Sequence, residues 1–333
     1  MDDRQIADIF ERRAFPGPVE PARLLSTHIS WVILTPQYAF KIKKPVRFNF
    51  LDFSTPELRA HFCREEVRLN RRLAPQTYLG VLPIGIEDGL LRIGARGKPF
   101  TDFAVWMRRE DNSRELDALL RAGAVTSQDM KKLAHKLAAF HRANSLKRCR
   151  VDTAALRDDF ADLFQQETTL ISMLGPGVRP ALRDIQAELP VCIAKHAARL
   201  RARAREGFRV DGHGDLHTRN IFLTDDPVLF DCIEFNPHLR RLDVLDELAF
   251  LAMDLDYYRR PDLAEALLRY YEEKNPCILE PEDETLFGFF KAYRANVRLK
   301  VTLLAGKKTF VEKEAARRYW ELLTGYWAMA GRS

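Results

Sequence analysis

The sequence lacks the features that define several large classes of protein. Its five cysteines, Cys63, Cys149, Cys192, Cys232 and Cys277, are odd in number and far apart, with no C-x-x-C between them. That argues against a zinc ribbon and a disulfide framework, and for reduced, mostly buried thiols in a cytoplasmic protein. No apolar run approaches the roughly 18 residues that a membrane span needs, so no membrane partner is expected. The opening MDDRQIADIFERRAF is charged and amphipathic, unlike a signal peptide. Internal repeats and low-complexity segments are missing as well. Charge of one sign is not in large excess: 53 Lys and Arg against 47 Asp and Glu leave a formal +6. Such a balance suits an anionic small molecule such as a nucleotide, and permits nucleic acid without indicating it. What remains is a 333-residue chain with 46% apolar residues, long enough for two lobes with sizeable cores.

Periodicity orders those lobes. After an opening helix, residues 29–50 alternate apolar and polar around the turn-like TPQ, which predicts strands near Ile29–Leu34 and Tyr38–Lys43. Ser54-Thr55-Pro56-Glu57 places a capping hydroxyl before a proline and starts a helix running to about Leu73. YLGVLPIGIED and GLLRIGA read as strands joined at Asp88-Gly89, and FAVWMRR as another. Residues 113–206 are almost wholly helical in pattern. IFL, the turn TDDP and VLFD then form one hairpin, and the rest is helical. The expected organisation is a β-rich lobe over residues 1–107, preceded by a helix, and a helical lobe over 108–333.

Few histidines are present, eight in all, yet His213 and His217 flank Asp215 in VDGHGDLHTRNIFL. Asn220 opens the first hairpin strand and Asp231 closes the second, and antiparallel hairpin ends lie opposite each other. The folded hairpin is therefore expected to gather Asp215, Asn220 and Asp231. Two carboxylates and an amide oxygen are hard donors, suited to Mg²⁺ rather than zinc. Phosphoryl transfer needs such a set: one carboxylate orients the acceptor hydroxyl, and an amide and a second carboxylate hold the ions that neutralise the phosphates.

HGDLHTRN resembles the H-G-D-x-H-x-x-N loop of the aminoglycoside phosphotransferase and choline kinase branch of the protein-kinase-like fold. FDCIEF resembles the branch's Asp-containing metal loop, LDVLDELAF its following helix, and LAAFH its helix before the catalytic loop. The similarity spans roughly residues 25–305. It is greatest to a bacterial group of uncharacterised members, some fused to a P-loop kinase domain; no G-x-x-x-x-G-K-[ST] segment occurs in this chain. The resemblance implies an α+β, two-lobed protein-kinase-like fold, with a small antiparallel sheet lobe and a large helical lobe. It implies an ATP- and Mg²⁺-dependent kinase acting on a hydroxyl of a small molecule. Asp215 would be the catalytic base, Asn220 and Asp231 the metal ligands, and His213 a brace for the loop. His217 would face the phosphate or simply bond within the loop.

A kinase of this kind also needs a strand cation for the phosphates and a helix carboxylate to hold it. YAFK has the V-A-I-K shape, which makes Lys41 the candidate, with Lys43 on the same strand face as its competitor. In CREEVRLNRRL, spacing to Leu73 favours Glu66 over Glu65 as the partner. Met107 and Arg108 fall where the lobes join and would offer main-chain groups to adenine. No G-x-G-x-x-G covers the phosphates, leaving Ser26, Thr27 and His28 as candidates. Glu234 reads either as a second metal or substrate contact or as a buried acid satisfied by an arginine. The basic run 194–207 reads as a solvated helix face, and Arg294, Arg298 and Lys300 as a possible acceptor lining. Two rival functions stay open: a metal-dependent hydrolase using His213, Asp215 and His217, and a repurposed member acting as a nucleotide-binding regulator or AMP transferase.

Overall fold

The computed structural model describes residues 1–330 except 49–50, 98, 148 and 307–308. The chain divides into two compact units, Met1–Ala118 with Asn220–Arg240, and Leu119–Arg219 with Arg241–Ser333.

The first unit opens with helix α1 (Asp3–Glu11), where Asp2 and Gln5 form a reciprocal capping box. Strands β1 (Arg23–Ser26), β2 (Ser30–Leu34) and β3 (Tyr38–Lys43) follow, then a two-residue pair, β4 (Arg47–Phe48) and β5 (Leu51–Asp52). Helix α2 (Pro56–Asn70) comes next, capped by Thr55, whose hydroxyl accepts from the Leu58 amide at 3.3 Å. It ends at Asn70, short of the expected Leu73, in a turn. Strands β6 (Tyr78–Glu87), β7 (Leu90–Ile93) and β8 (Phe100–Arg108) complete a six-stranded antiparallel sheet in the order β1-β2-β3-β8-β6-β7. The β6–β7 turn places Asp88 at φ 53° and Gly89 at φ 75°, the doubly left-handed loop whose twist matches that of the strands.

Period two along β3 explains what the sheet presents to each side. Phe40 and Ile42 enter a core with Ile6 and Ile9 of α1, Trp31 and Ile33. Ala39 faces the other way, packing with Cys63 and Val67 of α2 and with Val105 and Met107. Lys41 and Lys43 share Ala39's face, and so point toward α2. The short hairpin Ile221–Phe222 with Val228–Leu229 also belongs to this unit. Its register is closed by the Phe230 amide, which donates to the Asn220 carbonyl at 3.1 Å.

The second unit is a helical assembly centred on Val244–Tyr257, whose residues 244–255 are all buried. Helices Pro261–Glu272, Pro281–Leu304 and Phe310–Ala330 pack around it. A short antiparallel ladder, Arg209–Asp211 with Arg241–Asp243, leads the chain into the loop that begins at Gly212. The basic run 194–207 keeps the expected solvated face at Lys195, Arg201 and Arg205, but two of its arginines turn inward. Arg203 is fully buried, its guanidinium shared between Asp243 at 2.8 Å and Asp283 at 2.9 Å, and Arg199 pairs with Asp283 at 2.7 Å. These arginines tie the helix Arg179–Glu206 to its neighbours, as buried guanidinium groups must when carboxylates are within reach. Among the described residues, no helix is long and apolar enough to cross a membrane.

Candidate active site

The residues singled out from the sequence divide between the units. Lys41, Glu66, Met107, Asn220 and Asp231 belong to the first, Asp215 and His217 to the second.

In the first unit, Lys41 Nζ lies 2.9 Å from Glu66 Oε1 and 2.5 Å from Asp231 Oδ1. Glu66 is shared, because its other oxygen takes a hydrogen bond from Lys43 Nζ at 2.6 Å. Lys43 also donates to Glu234, so the acid is satisfied by a lysine rather than an arginine. Glu65 turns outward to Arg68 at 2.6 Å, which separates the adjacent acids by role. Exposure separates the lysines: Lys43 is 1% exposed and held on both sides, whereas Lys41 is 15% exposed. Burial pushes the ammonium of each lysine down. For Lys41, Asp231 and Glu66 outweigh it and hold the pKa well above the ordinary lysine value. Burial likewise pushes Glu66 up, but the two lysines bring it down to about 2. The neighbouring Cys63 thiol is pushed up to about 12 by burial, which makes it inert as a nucleophile.

Asp231 is fixed by its backbone as well as its charge. It adopts φ 63°, in the left-handed region that aspartate tolerates better than most residues. Its amide donates to the Tyr78 hydroxyl at 3.1 Å, and the Cys232 amide donates to Asn70 Oδ1 at 2.8 Å. Tyr78 and Asn70 went unnoticed in the sequence. Both are uncharged residues whose role arises only when α2 and β6 meet the segment after the hairpin. Met107 lies inside the sheet, paired with Ala39 and with Tyr78. Just beyond it, the amides of Arg108 and Arg109 are committed to the Thr77 and Gln37 carbonyls. Thr27 is committed to its own turn, accepting from the Ser30 amide at 3.0 Å, and Ser26 accepts from Lys44 at 2.8 Å.

In the second unit, Glu247 organises the loop carrying Asp215. One oxygen accepts from the His213 and Gly214 amides at 2.6 and 2.7 Å; the other meets His141 Nε2 at 2.8 Å. His213 is fully buried, and its Nδ1 accepts from the Asp215 amide at 3.3 Å, the bracing expected of it. His217 Nδ1 accepts from the Arg219 amide at 3.3 Å, which leaves the proton on Nε2, 3.4 Å from Asp215 Oδ2. Burial pushes the Asp215 carboxyl up, but His217, Arg298 and His213 outweigh it and hold it well below the usual carboxylate range. It is ionised at neutral pH. Thr218 donates to Asp254 through both its amide and its hydroxyl, at 2.9 and 2.6 Å. The signal for Glu247 and Asp254 lies in the apolar stretch VLDELAFLAMDLDY, where acids without polar surroundings must each find a donor.

The histidines do not form a metal cage. His213 Nδ1 and His217 Nδ1 both accept main-chain hydrogen bonds. Among the described residues, no group of three or more His, Cys, Asp or Glu side chains could hold a metal ion. Arg294 is not free to line a pocket: it is buried against Asp246 at 2.6 Å, and it donates to the Gly214 carbonyl at 3.3 Å. Lys300 pairs with Asp162 at 3.1 Å.

Gly212 is where the loop admits no side chain, because a Cβ there would collide with the Glu247 carboxylate. Gly212→Ala is therefore expected to displace Glu247 and cost about 1–3 kcal/mol, as overpacking does. Thermal melts read the loss; an unchanged melting temperature would show that the loop is held by other contacts.

Comparison with known proteins shows the family and the fold. The phosphotransferase enzyme family matches residues 38–282. Uncharacterized proteins of Mycobacterium tuberculosis and Mycobacterium bovis are 35% identical over 283 residues, 83% of this chain and 53% of theirs. The chain thus spans about half the length of the curated relatives it matches. Among solved structures, choline kinase from Cryptosporidium parvum aligns over 98% of this chain and 96% of its own, with TM-score 0.56 and 13% identity. A choline/ethanolamine kinase family protein from Mesorhizobium loti aligns over 99% and 100%, with TM-score 0.54 and 13% identity. Aminoglycoside 2'-phosphotransferase-IIIa, solved with GDP, aligns over 98% of both chains, with the same score and identity. An antiparallel sheet unit, a helical unit and these likenesses together define an α+β, protein-kinase-like fold. With three quarters of its length matched, this chain belongs to the phosphotransferase enzyme family.

Proposed function

We propose that the chain is an ATP- and Mg²⁺-dependent kinase that transfers the γ-phosphate to a hydroxyl of a small molecule. The observation that carries this reading is the Lys41 ammonium held between Glu66 and Asp231. A buried lysine braced by a helix carboxylate, and touching a second acid that can leave it for a metal, is what polyphosphate binding requires. Lys41 would meet the α- and β-phosphates, with Glu66 fixing its position. Asn220 and Asp231 would hold the Mg²⁺. Both offer oxygen donors, and the Asp231 side chain is 42% exposed, so the donor set fits this ion. When bound, Mg²⁺ supplies charge neutralisation along the phosphates. Asp215 would orient the acceptor hydroxyl and take its proton, with His217 Nε2 holding the carboxylate in line. Met107 remains the positional candidate for the adenine end. The β-rich lobe would thus serve the nucleotide and the helical lobe the acceptor. Free cysteines and balanced charge support action in the cytoplasm.

The test is transfer of label from [γ-³²P]ATP to a panel of hydroxylated metabolites, with and without Mg²⁺. Mg²⁺-dependent phosphorylation with ADP release is the expected result. Products heavier by AMP rather than phosphate, read by mass spectrometry, would replace this reading with nucleotidyl transfer.

A further inference from the structure

Arg298 differs from the other cations of its helix. Pro281–Leu304 carries Lys291, Arg294, Arg298 and Lys300. Lys291 ends 2.5 Å from Asp256, Arg294 2.6 Å from Asp246, and Lys300 3.1 Å from Asp162. Arg298, among the described residues, has no carboxylate at ion-pair distance. Its Nε donates to the Tyr319 hydroxyl at 3.3 Å, and the guanidinium lies over that ring, 5.6 Å from its centroid. It is not a solvated surface arginine either, being half-buried with Tyr319, Asp254 and Asp215 all within electrostatic reach. A guanidinium has five N–H donors in a rigid planar fork, and partial burial without a matching anion is costly.

The position of Arg298 is tied to the loop of Asp215. Asp254 accepts from Thr218 on one oxygen, and its other oxygen accepts from the Tyr319 hydroxyl at 3.4 Å. Tyr319 in turn receives Arg298. Further positive charge surrounds the same rings: Tyr257 stacks on Tyr319 at 4.5 Å, and Arg318 lies 4.9 Å from the Tyr257 centroid. Apart from Asp215 itself, three acids of this region that could greet a cationic acceptor are already committed. Asp246 holds Arg294, Glu247 holds His141 and two loop amides, and Asp254 holds Thr218; all three are buried.

We propose that the acceptor carries an anionic group, a carboxylate or a phosphate, and that Arg298 binds it while Asp215 addresses the hydroxyl. This rests on the phosphotransfer reading above. A planar guanidinium pairs with either oxyanion through two parallel hydrogen bonds, which orients the acceptor as well as attracting it. Amino alcohols and polyamines become poor acceptors for the same reason.

ADP release with size-matched hydroxy acids, sugar phosphates, neutral sugars and amino alcohols tests the proposal. Anionic acceptors should turn over best, with the hydroxy-acid and sugar-phosphate arms deciding which oxyanion is preferred. Arg298→Gln should raise KM for them by about 10–100-fold, the loss of a charge-assisted hydrogen bond. Arg298→Lys should recover part of this, and Lys300→Gln should leave KM unchanged. Neutral or cationic acceptors turning over best, or Arg298→Gln lowering kcat equally for every class, would overturn it. Binding is read separately. Glycerate or inorganic phosphate should raise the melting temperature of the wild type but not of Arg298→Gln, and no rise in the wild type also overturns the site. Failure of γ-phosphate transfer to every class while anions still bind through Arg298 would instead sink the kinase reading.

Discussion

Asp215→Asn is expected to lower kcat by about 10²–10⁴-fold, the usual contribution of a positioned general base. Nucleotide affinity should be retained, because the Lys41, Glu66 and Asp231 cluster is assembled by other segments of the chain. Asparagine keeps the shape of the side chain and its contact with the His217 Nε2 proton, so the loss isolates the charge. The depressed pKa adds a second expectation with a definite sign. Burial opposes ionisation of Asp215, but His217, Arg298 and His213 favour it strongly enough that the base stays deprotonated well below neutrality. The acid limb of kcat should therefore not fall near pH 4–5 on account of this group. So weak a base would gain little by taking the proton early, so its proposed work is orientation first and proton acceptance late. Steady-state kinetics of ADP release and calorimetric titration with nucleotide measure the two halves. Activity of the variant within a few fold of wild type would remove Asp215 from the chemistry.

Much of this site was legible because local periodicity carried it. Period two on β3 put Lys41 and Lys43 on one face, and helical spacing on α2 turned Glu66 inward and Glu65 outward. The short hairpin put Asn220 opposite the residue before Asp231, as strand pairing demands. Those are short-range arguments, and they survive folding. What could not be read were partners chosen at long range. Lys43 and Glu234 are 191 positions apart, and nothing local says that one buried strand lysine will meet the α2 acid Glu66 and a loop acid together. Arg203 failed for the same reason. Its helix is rich in arginine, which suggests a wet face, yet Asp243 and Asp283 approach from distant segments and draw it inside. Charged residues are read as exposed by default, and that default fails wherever tertiary packing supplies a counter-ion.

Glu66 is the position where a single substitution should do most damage to the fold. It is fully buried and is the only acid that contacts both lysines among the described residues. Glu66→Ala leaves Lys43 with Glu234 alone and Lys41 with Asp231 alone, and opens space between α2 and β3. Removing one member of a buried ion pair typically costs about 3–5 kcal/mol, because the stranded charge has lost its solvation without replacement. The neighbouring Glu65→Ala, on the outer face, should stay within about 0.5 kcal/mol of wild type. The charge itself can be read through pH. Glu66 has a folded pKa of about 2, below its ordinary value of 4.5, because Lys41 and Lys43 overcome the effect of burial. A carboxyl depressed in the folded state contributes stability that is complete above the unfolded pKa and lost as pH falls toward the folded one. The contribution should thus disappear between about pH 4.5 and 2. Glu247, held down to about 2 by His141, His213 and the Gly214 amide despite its burial, adds to the same window. In Glu66→Gln the acid limb of stability should be shallower than in wild type by about one proton, with the other depressed carboxyls, Glu247, Asp215 and Asp283 foremost, left to account for the remainder. Denaturant melts from pH 6 to pH 2.5 measure it. An acid limb identical in wild type and Glu66→Gln would mean that the lysines are neutralised by Asp231 and Glu234 without help from α2, and Lys41 would then lose the brace on which its proposed phosphate-binding role depends.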